Sequence, residues 1–224
     1  MFDILLQTDS TAAATTVAQT ESVWSLLSKG GPLMIPLAIL FALAVYFFIE
    51  RFLVIKKAGQ VDENFMSIIR DHVVNGNITA ARSLAKNTSN PVARMIDKGL
   101  QRIGKPIDAI ENSMSNVGKL EMYKMEKNLT MLSVIARIAP LFGFVGTIVG
   151  LVLLLKEFAT ISNPSISHIA DAMYIKLITS ATGLIIGMLA YLGYSFLDTQ
   201  INRTANQMEA ASSEFIDILQ EPTR

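Results

Sequence analysis

The 224-residue sequence has no cysteine and only two histidines, His72 and His168, which lie far apart in the chain. The first absence excludes a disulfide scaffold, a thiolate metal site and a thiol nucleophile. The second leaves little from which to build a metal centre or a catalytic triad. Charge is scarce as well: Asp, Glu, Lys and Arg make up 17% of the residues, against about a quarter in soluble domains. Nineteen basic residues balance nineteen acidic ones, so nucleic acid binding has no electrostatic support. Gly143-Phe-Val-Gly146 and Gly146-Thr-Ile-Val-Gly150 sit in an apolar run without the GxxxxGK pattern, which argues against an NTPase. Neither a cofactor, a metal nor an enzymatic activity is expected. What is abundant is apolar: 51% of the residues are hydrophobic and the mean hydropathy is +0.41.

These apolar residues are clustered. Leu33 to Ile49 is seventeen residues without a charge, Ile138 to Leu155 is eighteen, and Leu177 to Leu197 is twenty-one. A helix needs about 20 predominantly apolar residues to cross a hydrocarbon core roughly 30 Å thick. Inside lipid each backbone group must be satisfied within its own segment, so the runs read as helices. The expected fold is an all-α membrane protein with three transmembrane helices, two of them long and extending into a helical cytoplasmic region. The expected divisions are a periplasmic lead with an amphipathic segment at 1–31, spans at 32–55, 129–156 and 172–197, a cytoplasmic helical domain at 56–128, a periplasmic loop at 157–171 and a cytoplasmic helix at 198–224.

Orientation follows from the basic residues. One, Lys29, precedes the first span, a dozen lie between the first and second, and Glu157–Asp171 has none. Arg51, Lys56, Lys57 and Arg137 sit at the ends that face the middle segment. The bias puts that segment and the C-terminus inside, and the N-terminus outside. The lead carries no early Lys or Arg and no compact apolar core, unlike a cleavable signal. Val23, Trp24, Leu26 and Leu27 are expected to anchor at the outer interface.

Between the first two spans the sequence predicts short helices. One opens at Asp62 and stops at Asn75-Gly76, a second covers Ile78–Lys86, and a third starts at Pro91 and runs to Gly104. Nothing in the pattern interrupts a fourth, predicted to run unbroken from about Pro106 to Phe158 with a kink at Pro140, where the ring removes a hydrogen bond. A last helix is expected from Ala170 to about Leu219. The Asp and Glu residues of the middle region have the spacing of a solvated helix face.

Inside the second and third spans the polar and small residues stand out. Pro140, Gly143, Thr147, Gly150 and Leu154 share one face at 100° per residue, and Lys176, Ser180, Gly183 and Gly187 share another. Gly146/Gly150 and Gly183/Gly187 are small-xxx-small pairs that permit close helix packing. Thr147, Ser180, Thr179 and Thr182 are candidates for a polar pathway, or else hydroxyls bonded back to carbonyls one turn earlier. No Asp, Glu or His lies in any of the three runs. Proton relays generally need an intramembrane ionisable group, so a titrating carboxylate would have to come from another polypeptide. Lys176, near the outer end, either snorkels to the interface or holds a partner's anion at an outer mouth.

Several motifs together resemble the MotA/TolQ/ExbB proton channel family, in its ExbB/TolQ branch. They are Gly30-Gly31-Pro-Leu-Met-Ile-Pro36, Ile49-Glu50-Arg51, Ala139-Pro-Leu-Phe-Gly-Phe-Val-Gly-Thr147-Ile-Val-Gly150 and Ser180-Ala-Thr-Gly183-Leu. The resemblance implies a homopentamer in the bacterial inner membrane. Its second and third helices would line a pore around an ExbD/TolR-type single-span partner that carries the protonatable Asp, and a TonB-like protein is a further implied partner. Family pore hydroxyls fall on Thr147 and Ser180. A glutamate common in the family falls on Ile175, with Lys176 beside it. The implied function is a proton-driven motor serving TonB-dependent transport. TolQ-like envelope maintenance and a gliding or flagellar stator are variants, and a non-conducting membrane scaffold is the rival of another class.

Overall fold

The computed structural model describes residues 32–59, 64–160 and 166–220. The expected interface anchor around Trp24, the helix start at Asp62 and the middle of the segment expected as a periplasmic loop lie outside the described residues. Seven helices account for nearly all of the described residues: α1 Met34–Ala58, α2 Phe65–Val74, α3 Ile78–Asn87, α4 Pro91–Leu100, α5 Ile107–Glu126, α6 Leu129–Phe158 and α7 Ile166–Gln220. No strand occurs among the described residues.

Local signals set the short helices. Asn77 and Asn90 cap α3 and α4 by accepting from the backbone N–H groups of Ala80 and Ala93 at 3.2 and 2.6 Å, satisfying donors that a helix start leaves free. Pro91 occupies the first turn of α4, where its missing N–H costs nothing. Gly76 and Gly104 end their segments at φ +71° and +90°, a region that side chains resist.

The unbroken helix expected from Pro106 to Phe158 is corrected by the structure. α5 ends at Glu126 and α6 begins at Leu129. Between them Lys127 turns extended and Asn128 is left-handed at φ 65°. Asn tolerates that conformation better than most residues, and its amide is held by the Glu50 carboxylate at 3.2 Å. The chain therefore turns where a carboxylate from α1 is available to fix it. The helix does continue through Pro140.

α7 is 55 residues long, about 80 Å at 1.5 Å per residue, and it links two regions. Its C-terminal part supplies Met208, Ala211, Phe215 and Ile218 to a core formed with α2, α3, α4 and α5. Its N-terminal part packs along α6 and α1, with Leu197 and Ile201 closing a second core around Leu129, Leu132 and Ile55. Farther out the core thins to Leu37, Ala139 and Ile186. There the helices present large apolar side chains outward: Ile35, Tyr46, Leu141, Phe144, Leu177 and Met188 are each more than half exposed. An apolar surface of that extent does not suit water. Among the described residues three helical stretches have the length and composition to cross a membrane, with mean hydropathy 2.3, 2.5 and 1.6 over their most apolar windows.

Candidate functional site: the seam between α6 and α7

α6 and α7 run antiparallel in close register, and the register depends on missing side chains. A Cβ at Gly183 would sit 2.7 Å from the Ala139 carbonyl oxygen and 3.0 Å from Gly143 Cα. At Gly143 it would meet the Ser180 carbonyl at 3.0 Å, and at Gly187 the Pro140 ring at 2.5 Å. Toward the other end Gly146 faces Thr179 Cγ2, where a Cβ would come within 3.1 Å, and a Cβ at Gly150 would overlap the Lys176 stem. Each step along α6 thus meets a matching step back along α7. The contacts at Gly143 and Gly183 are backbone on backbone, the closest approach two helices can make.

The hydroxyls fall at different depths in this seam. Thr179 is 1% exposed and lies inside it. Thr147, Ser180 and Thr182 are half-buried at its edges. Thr147 donates to the Phe144 carbonyl at 2.6 Å and Thr182 to the Ile178 carbonyl at 2.9 Å, so each spends its proton within its own helix while the oxygen keeps acceptor capacity. A groove of about 110 Å³ opens beside Thr147, with Gly150, Lys176, Leu151, Leu154, Met173 and Leu177 completing its walls. Thr147 lies about 15 Å along α6 from Arg137 at 1.5 Å per residue. The side chain of Ile175 is outside the described residues.

A second polar cluster sits at the other end of the helices and escaped sequence reasoning. Arg51 is 5% exposed. It donates to the Lys124 carbonyl at 3.1 Å and to Glu50 Oε1 at 2.6 Å, while its Nε is buried without a partner. The Lys124 carbonyl is one of the last of α5, which a helix end leaves without an intrahelical donor. One turn earlier Glu121 accepts from Arg94 Nη2 at 2.6 Å and Lys124 Nζ at 2.7 Å. The expected solvated acidic face fails here, because the Glu121 side chain is only 4% exposed. Burial alone would raise its pKa, but the hydrogen bonds from Arg94 and Lys124 and their positive charge outweigh it and hold the carboxyl below the usual glutamate value of 4.5. In sequence Glu121 looks like any other acidic residue of a helix; only its tertiary neighbours distinguish it.

Three long apolar helices, a glycine-built seam with hydroxyls at its edges and no acid in either helix there define a multi-pass α-helical membrane protein. The chain belongs to the MotA/TolQ/ExbB proton channel family, whose model matches residues 87–210, a stretch that holds the whole seam. By its description that family is one of proton channels. The chain is 24% identical over 172 residues to a "biopolymer transport protein ExbB homolog" of Methanothermobacter thermautotrophicus, an alignment covering 75% of this chain and 61% of the relative. It is 30% identical over 90 residues to "Biopolymer transport protein exbB1" of Vibrio cholerae, 40% of each chain. The chain thus spans less than two thirds of the length of the relatives it matches.

Proposed function

We propose that this protein is a subunit of a proton-motive-force-driven motor of the ExbB/TolQ type in the bacterial inner membrane. Five copies surround an ExbD/TolR-type single-span partner, with α6 and α7 toward the axis and the N-terminus on the periplasmic side. Protons moved by the membrane potential, worth about 2.3 kcal/mol per charge per 100 mV, reach the partner's Asp along the edge carrying Thr147 and Ser180. Thr179 and Thr182 stand behind them, inside the seam and at its rim. Neutralising that Asp removes its attraction to the polar edge, and the partner helices shift. The work leaves through the partner's periplasmic part, most simply toward a TonB-like protein and outer-membrane transport.

One observation carries this reading. The two helices bring hydroxyls to one seam, yet the runs that flank it hold no carboxylate of their own, so proton transfer there requires a guest that brings one. The test is proton flux into liposomes containing the purified complex under an imposed potential. Thr147→Val with Ser180→Ala should lower flux at least about tenfold, as expected when hydrogen bonds to a charged group, worth about 1.5–3 kcal/mol, are lost, while the complex still assembles. Undiminished flux would reject the pathway and favour the scaffold, which tolerates both changes.

A further inference from the structure

Lys176 is the feature of the seam that this function leaves without a role. Its charge lies on the seam face of α7, one turn outward of Ser180. Its stem crosses α6 at Gly150, where any Cβ would collide with the lysine Cγ, Cδ and Cε. The glycine therefore lets a long cationic side chain lie flat between the helices, and Gly146 and Gly150 are not equivalent packing residues. Lys176 shares its groove with Thr147, and the remaining side chains that line it are apolar. Lys176 is half-buried, and it has no hydrogen bond or ion pair among the described residues. Along α6 the charges nearest Gly150 are Lys156 and Glu157, six and seven residues on, with Arg137 thirteen residues back, and Asp171 precedes Lys176 by five residues on α7. Among the described residues no acid lines the groove. A cation in such surroundings is costly unless an anion joins it.

We propose that Lys176, seated on Gly150, is a positioning residue that pairs with a carboxylate on a partner membrane helix and holds it ionised beside Thr147. The occupant is a guest helix with an intramembrane Asp or Glu, because a positive group in an apolar groove is complemented by a single negative one. This rests on the motor reading above and adds to it the element that keeps the carboxyl charged until a proton arrives. The uncharged runs hold no competing acid, but Glu157 and Asp171 lie just beyond them, so labelling of the guest is read separately from labelling of this chain, by mass.

The experiment uses the full chain purified with the single-span protein that accompanies it, treated with dicyclohexylcarbodiimide, which reacts with protonated carboxyls in apolar surroundings. A cation within about 4–6 Å lowers a carboxyl pKa by roughly one to three units. At a pH above the carboxyl's titration, Lys176→Met should therefore speed labelling of the guest at least about tenfold. Lys176→Arg, which keeps the charge, should label at the wild-type rate. Gly150→Ala, which displaces the lysine stem, should shift the rate in the same direction as Lys176→Met. An unchanged rate in Lys176→Met overturns the pairing alone and leaves the ammonium at the lipid phosphates. A complex whose accompanying helix has no reactive carboxyl overturns the motor reading and this site with it.

Discussion

Glu121 joins two helices of the region between the first two spans: Arg94 comes from α4 and Lys124 from its own α5, both within 2.7 Å of its oxygens. Because the folded carboxyl titrates below 4.5, the stability it contributes is complete above that value and is lost as pH falls through the lower, folded one. Glu121→Gln should cost about 1–2 kcal/mol at pH 7, between an exposed ion pair and a charged buried hydrogen bond, since Arg94 and Lys124 can return to water. It should also flatten the acid limb of the melting temperature, followed by thermal unfolding of the solubilised protein. Asn128 offers a backbone test. Asn128→Ala should destabilise by about 1–2 kcal/mol, because it loses the amide bond to Glu50 and replaces a residue that tolerates the left-handed conformation with one that does so less well. Asn128→Gly should lose less, only the amide bond to Glu50.

Among the elements, α6 and α7 are the pair whose contact is least forgiving. Gly183→Ala puts a methyl against the Ala139 carbonyl and Gly143 Cα, backbone atoms that cannot rotate away. Overpacking of this kind costs about 1–3 kcal/mol, so the variant should melt earlier and assemble poorly on size-exclusion chromatography. Ala181→Val on the exposed side of the same helix should change neither. The glycine spacing was legible in sequence because 3.6-residue periodicity places Gly183 and Gly187 on one face. The break at Asn128 was not, since Lys-Asn within a helical pattern carries no punctuation as strong as Gly or Pro. It forms because Glu50, 78 residues away in sequence, holds the Asn128 amide.

For the whole molecule, the charge bias predicts sidedness, and the absence of cysteine makes it directly measurable. Thr160→Cys should react with a membrane-impermeant maleimide in intact cells, and Lys98→Cys only in inverted vesicles; the opposite pattern would reverse the orientation proposed here. The sequence by itself determined the solvent of each segment, and with it three apolar helices, a polar middle and small residues on two span faces, because burial in lipid or water depends on composition over a helix length. Only the tertiary structure decided which hydroxyl lies inside the seam and which at its edge. Thr179 and Ser180 are neighbours in sequence, but 100° of helix rotation seals the first against Gly146 and leaves the second half open. It also decided that Glu121 and Arg51 are buried and that Lys176 lies on Gly150, since each of these depends on a residue from a distant part of the chain arriving within a few ångströms.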